Sequence, residues 1–191
     1  DECRSMKLRV DPPDVNRSAY QFLARDDRTI VYGLGAVKGV GRGAIEAIIE
    51  ERERGGEFED LADLCQRIDL KRAGKRVLEA LIRSGSMDSI CHNRATAMRD
   101  LPQALQAAEQ ASRNRAAGQN DLFGGGEATA VHAEANPLAR PPIEEWEEPD
   151  RLAAEKETLG LYLTGHPIDR YEAELAGIVT ARLQQLAAGA V

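Results

Sequence analysis

The sequence predicts a mainly α-helical chain with a short β-hairpin near its N-terminus and a flexible linker. Three observations carry this. Apolar residues recur at a period of 3.6 along several stretches. A 13-residue pattern built around glycine occurs twice, about 33 residues apart, the spacing of a helical-pair repeat. Aromatic residues make up only 4% of the 191 residues and charged residues 30%, which suits a helical core and not a large aromatic-rich one.

In chain order, residues 1–6 read as the tail of a helix. Pro12-Pro13 makes a rigid turn, because each ring fixes φ and removes a donor. Tyr20-Gln21-Phe22-Leu23-Ala24 and Thr29-Ile30-Val31-Tyr32-Gly33 read as two short strands joined by the polar turn Arg25-Asp26-Asp27-Arg28. Asp26-Asp27 is read as a solvated turn, with no further ligand nearby for a metal.

The organising stretch follows. Val37-Lys38-Gly39-Val40-Gly41-Arg42-Gly43 reads as a tight turn that opens into a helix with Ala44, Ile45, Ile48 and Ile49 on one face. Glu50 and Arg54 are spaced as an i,i+4 pair, and Gly55-Gly56 ends the helix. Backbone N–H groups at a helix N-terminus, uncovered by side chains, form an anion site. Lys38 and Arg42 flank it.

The second copy is Leu70-Lys71-Arg72-Ala73-Gly74-Lys75-Arg76, leading into Val77, Leu78, Leu81 and Ile82, with Gly85 at the end. Lys38 falls on Lys71, Gly41 on Gly74, Arg42 on Lys75 and Glu46 on Glu79. Gly39 becomes Arg72, so the second turn is expected to lean on side-chain charge more than on backbone approach. Phe58 to Ile68 is expected to be its leading helix. This is a tandem helix-hairpin-helix pattern. The residues expected to hold a phosphodiester backbone are Lys38, Gly39, Val40, Gly41 and Arg42, with Lys71, Arg72, Gly74, Lys75 and Arg76.

Asn93 is placed to cap a long helix to about Ala117, which Pro102 would kink or split. From 117 to 142 the chain is rich in Gly, Ala, Pro and polar residues, the composition of a linker or long loop. Within it, Gln119-Asn120-Asp121-Leu122-Phe123 holds an apolar pair with no local core. It either docks on its own domain or serves as a short peptide ligand that orders on binding. Glu144 to Glu157 reads as an acidic helix containing Trp146 and running on to about Thr164-Gly165, where Pro167 stops it. His166 is read as a structural hydrogen-bonding residue. Asp169 to Ala176 is a last short helix, and 187–191 is placed to begin a strand.

The formal net charge is −7, against coating of nucleic acid by the whole surface. The sign is uneven. Residues 28–99 carry 13 basic and 11 acidic side chains, and 134–157 carry 3 and 8. A local basic edge on an acidic chain fits contact with DNA on one face. Cys3, Cys65 and Cys91 are odd in number and lack C-x-x-C spacing, which suits reduced thiols in a cytosolic setting and not a disulfide frame or zinc site. No signal peptide or long apolar run calls for a membrane. With Asp1 first and no initiator Met, the chain is read as an excerpt of a longer polypeptide.

Taken in order, Pro12-Pro13-Asp14-Val15-Asn16, Val31 to Gly41, Arg76 to Ile82 with Gly85, Gln119 to Phe123, and Glu155 to Pro167 resemble the alpha subunit of bacterial DNA polymerase III, the C-family replicative polymerases. Gly74, where that family often carries a polar residue, and Cys91-His92, in place of a glycine turn, are small departures. The resemblance implies the end of a fingers domain at 1–34, the tandem helix-hairpin-helix region at 35–92, a helix at 93–116, a linker with a clamp-binding peptide at 117–142, and a helical segment at 143–191 leading to an OB domain. It implies that the hairpins hold product duplex DNA. It also implies that Gln119, Asp121, Leu122 and Phe123 bind the sliding clamp, Leu122 and Phe123 filling an apolar pocket. Other holoenzyme subunits would be partners, and the bacterial cytoplasm the location. Mg2+ is implied for the whole polymerase. No Asp-x-Asp occurs here, so the segment itself is expected to be catalytically silent and without a cofactor. A translesion paralogue, or a non-catalytic helix-hairpin-helix interaction module, are the other readings.

Overall fold

The computed structural model describes residues 6–116 and 140–179. Three short strands, β1 (Arg9–Asp11), β2 (Leu23–Asp26) and β3 (Thr29–Val31), precede six α-helices among the described residues. These are α1 (Arg42–Gly55), α2 (Leu61–Arg67), α3 (Lys75–Arg83), α4 (Arg94–Ala116), α5 (Glu148–Leu159) and α6 (Glu172–Ala176). Single 3-10 turns at Leu34–Ala36 and Asp169–Tyr171 lead into the first hairpin and into α6.

The sheet order is β1-β3-β2, with β1 parallel and β2 antiparallel to β3. The expected hairpin is present but shorter. Its first strand begins at Leu23, not Tyr20, because residues 19–22 are used elsewhere. Leu34 N–H donates to the Ala19 carbonyl at 2.9 Å and Gly35 N–H to the Tyr20 carbonyl at 2.9 Å. A Cβ on Gly33 would lie 2.5 Å from the Gln21 carbonyl carbon, so only glycine admits this crossing. The turn shrinks to Asp27 and Arg28, closed by Arg28 N–H donating to Asp26 Oδ1 at 2.8 Å. β1 was not expected from the sequence.

One apolar core joins most elements. Val15, Tyr32, Leu34, Ile45, Ile48, Leu64, Leu78, Leu81, Ile82, Leu101 and Leu159 all belong to it. The stripe expected on α1 is buried except for half-exposed Ile49, and Ala47 joins it. α4 packs across α2 and α3. Its face of Ala97, Leu101, Ala104 and Ala108 is buried. α4 runs unbroken through Pro102, contrary to a split there. Packing of that alanine-rich face offsets the one hydrogen bond that proline removes.

Helix ends follow local chemistry. α2 starts at Leu61, later than Phe58. Asp60 caps it by accepting Asp63 N–H at 2.8 Å, while Phe58 is held outside the helix by two bonds to the Asn16 side chain, at 2.8 and 2.9 Å. α3 ends in a Schellman motif. Gly85, at φ +79°, donates to Ile82, and Ser86 N–H to Leu81. Asn93 caps α4 through Thr96 N–H at 2.7 Å. α5 stops at Gly160, φ +78°, and not at Thr164-Gly165. Its start is also later than Glu144. Residues 144–147 stay out of the helix because Glu145 caps α4 from outside, accepting Arg94 and Ala95 N–H at 3.0 Å each. His166 is a hydrogen-bonding turn residue, Nδ1 accepting Ile168 N–H at 3.3 Å.

Candidate nucleic-acid interface

Lys38 to Arg42 form the first turn. Gly39 sits at φ +85°, which a side chain strains, and Gly41 is the extended N-cap of α1. A Cβ on Gly41 would meet nothing within 4 Å. Lys38 N–H is used by the Thr158 carbonyl at 2.8 Å, and Val40 N–H by Val37. The N–H groups of Gly39, Gly41, Arg42 and Gly43 have no acceptor among the described residues. They surround a surface that carries no side chain at Gly41. Four open donors at the start of a 14-residue helix make an anion-attracting edge.

The second turn is closed differently. Asp69, one residue before Leu70, accepts Lys71 N–H on its side chain at 2.9 Å. Its carbonyl accepts Arg72 and Ala73 N–H at 3.0 and 2.9 Å. Three backbone donors are thus spent inside the turn. Arg72, in the place of Gly39, needs no positive φ here. At the start of α3 the N–H groups of Gly74, Lys75 and Arg76 have no acceptor among the described residues.

The two turns touch. A Cβ on Gly39 would lie 3.7 Å from Ala80 Cβ on α3, and one on Gly43 would lie 3.8 Å from Arg72 Nε. Arg72 reaches α1, pairing with Glu50 at 3.1 Å and Glu46 at 3.5 Å. Glu46 also takes Arg42 Nε at 2.8 Å, and this bond holds the Arg42 guanidinium above its ordinary pKa. Lys75 pairs with Glu79 at 3.8 Å. Arg54 pairs with Glu51, so the expected Glu50–Arg54 pair is not formed, because Arg72 has taken Glu50.

The six basic side chains of the two turns are therefore in two states. Arg42, Arg72 and Lys75 are paired to carboxylates on α1 and α3. Lys38, Lys71 and Arg76 are exposed and carry no ion pair among the described residues. The carboxylates were missed from the sequence as part of the site, although Glu46 and Glu79 repeat in register there. Asp69 was also missed, and its position two residues before Lys71 is an Asx-turn signal. Residues 119–123 lie outside the described residues, as do 1–5 and the strand expected at 187–191.

No group of three or more His, Cys, Asp or Glu side chains among the described residues could hold a metal ion. Burial pushes the Cys65 and Cys91 thiols up to about 12, Asp60 adding to both, so these thiols are poor nucleophiles. No helix among the described residues is long and apolar enough to cross a membrane.

Two turns that each open into a helix, tied together by Arg72 and the α1 carboxylates Glu46 and Glu50, form a tandem helix-hairpin-helix. Residues 7–97 match the model of a family described as Helix-hairpin-helix motif. The wider match runs along nearly the whole chain. It is 47% identical to DNA polymerase III subunit alpha of Pseudomonas aeruginosa, covering 97% of this chain and 17% of that protein. The same subunit of Vibrio cholerae is 48% identical, covering 98% and 16%. That of Escherichia coli is 49% identical, covering 92% and 15%. Over the segment it covers, the chain is homologous to DNA polymerase III subunit alpha. It spans about one sixth of the length of these relatives.

Proposed function

We propose that this chain binds duplex DNA through the phosphodiester backbone, without sequence preference, as part of a replicative DNA-directed DNA polymerase. The observation that carries this reading is the first turn. Four open N–H donors surround the bare surface at Gly41, beside basic residues contributed by a second, duplicated turn. Backbone donors and exposed lysines recognise phosphate and not base edges. The family relationship supports the same reading and supplies the polymerase as the whole protein.

The contact residues proposed are Lys38, Gly39, Val40, Gly41 and Arg42 from the first turn, and Lys71, Gly74, Lys75 and Arg76 from the second. Arg72 joins them and also ties the second turn to α1 through Glu50 and Glu46. DNA synthesis by the whole polypeptide would use Mg2+ held outside the described residues, whose side chains do not fit a metal pair. Residues 119–123 are proposed to bind the sliding clamp through Leu122 and Phe123, with Gln119 and Asp121 as polar contacts. Other holoenzyme subunits in the bacterial cytoplasm complete the proposed setting.

The test is anisotropy of a labelled duplex titrated with the chain across a salt series. About three or four phosphates neutralised would give a log–log slope of roughly −3 to −4, the same for unrelated sequences. Lys71→Ala with Arg76→Ala should lower the slope by about two. A flat salt response in the wild type, or an unchanged slope in the double variant, would overturn the phosphate grip. Leu122→Ala with Phe123→Ala should abolish clamp binding and leave DNA binding intact. Retained clamp affinity would refute the peptide's role.

A further inference from the structure

Both hairpins pair the first residue of their second helix with a glutamate four residues on. In α1 this is Arg42 with Glu46, at 2.8 Å, and in α3 Lys75 with Glu79, at 3.8 Å. The order is the reverse of what helix stability favours. Acids belong in the first turn, where they meet the positive end of the helix dipole, and bases near the last. Neither α1 nor α3 has an acid in its first turn, and each instead begins on a base. A cation is thus held where the helix disfavours it, twice in register. Glu46 does more than staple its own helix. One carboxylate oxygen takes Arg42 and the other lies 3.5 Å from Arg72 of the other hairpin. A carboxylate bridging two basic side chains, one from each turn, does what a bound phosphate would do. Glu46 remains 42% exposed and Arg42 75%, so the pairs are open to exchange with a solvent anion.

We propose that Glu46 and Glu79 are built-in phosphate surrogates. They hold Arg42, Arg72 and Lys75 toward the DNA edge and compete with the duplex for them, which keeps the grip weak and quickly exchanged. This rests on the phosphate-backbone reading above. It makes the strength of the grip a property of two acids that touch no DNA. A phosphate that arrives releases Glu46, and a phosphate that leaves is replaced by it. The backbone can then slide past without stripping the arginines bare.

The test is duplex binding by the intact chain with Glu46→Gln, with Glu46→Gln and Glu79→Gln together, and with Glu53→Gln. Glu53 is exposed on the same helix and pairs with no base among the described residues, so its variant makes the same change of charge without freeing an arginine. Glutamine is close to glutamate in helix propensity, and circular dichroism would check the fold. Exposed pairs of this kind lead to an expected gain in affinity of roughly two- to fivefold for Glu46→Gln at low salt. The double variant should gain more, with a steeper salt slope by about one and slower dissociation. Glu53→Gln should change affinity less than twofold. If the wild type binds with a salt slope but Glu46→Gln binds no tighter than Glu53→Gln, the surrogate role is wrong and the pair is a helix staple. If the wild type does not bind duplex at all, the phosphate reading fails and takes this inference with it.

Discussion

Replacing Glu155 by glutamine exchanges one oxygen for an NH2 group inside an enclosed ion pair. Glu155 is 1% exposed and its partner Arg94 3%, with Arg94 Nη1 and Glu155 Oε1 3.1 Å apart. The same Oε1 accepts the Thr164 hydroxyl at 2.8 Å. Oε2 accepts the N–H groups of Leu163 and Thr164 at 3.0 and 3.1 Å. Four donors thus converge on one carboxylate, and it fastens the chain after α5 to the start of α4. Glutamine can satisfy only one pair of them. If its NH2 replaces Oε2 it faces two N–H groups, and if it replaces Oε1 it faces the arginine. Two charge-assisted bonds at the low end of their range make about 3 kcal/mol. Arg94 keeps its pair with Asp88 at 2.8 Å, so the loss stays at the low end of the about 3–5 kcal/mol that breaking a buried pair on one side costs. With a urea m-value of about 2 kcal/mol/M, the midpoint should fall by about 1.5 M. The double variant Arg94→Met/Glu155→Met should recover part of this, since removing both charges leaves none buried alone. A loss below about 1 kcal/mol for Glu155→Gln, or a double variant worse than the sum of the singles, would refute the account.

Acid should unfold the chain through two glutamates. Burial pushes Glu155 up, but the N–H groups of Leu163 and Thr164, the Thr164 hydroxyl and Arg94 outweigh it and bring it below its ordinary value. Glu145 is likewise pushed up by burial and brought lower overall by the N–H groups of Arg94, Trp146 and Ala95. A carboxyl with a depressed folded value contributes stability above its unfolded value, about 4.3, and loses it as pH falls through the folded value. The urea midpoint should therefore hold from pH 7 to about 5 and decline below about 4.5, less steeply in Glu155→Gln; an equal acid response in that variant would contradict the assignment. Gly39→Ala should cost about 1–2 kcal/mol by denaturant titration, from its φ of +85° alone, because the added methyl meets Ala80 Cβ at an ordinary 3.7 Å. Gly41→Ala, at φ −75° in open space, should cost clearly less, and equal costs would show that φ is not the cause.

The elements legible in the sequence were those whose cause is local. Period-3.6 stripes with a glycine stop mark α1 and α3, and Asn93 marks the start of α4. β1 escaped because it is three residues long and exists only through parallel pairing with β3, twenty residues away. The end of α5 was misplaced because Leu161 and Leu163 continue an apolar pattern past Gly160, whose left-handed conformation stops the helix. At the hairpins the glycines and the basic edge could be read. The engagement of Arg72 could not, since Glu46 and Glu50 lie on a different helix and meet it only after folding. Glu145 capping α4 was hidden for the same reason, fifty residues from the N–H groups it serves.

The first hairpin is tied off from far along the chain. Lys38 N–H bonds to Thr158, and the Tyr32 hydroxyl to the Leu159 carbonyl at 3.0 Å. During synthesis the helix-hairpin-helix stretch through Ala97 is complete 62 residues before Leu159 is added. At about 5–20 residues per second this leaves an interval of roughly 3 to 12 seconds in which the residues of both turns have been made and those that fasten the first have not. A nascent chain thus carries the residues of both hairpins before those of the latch.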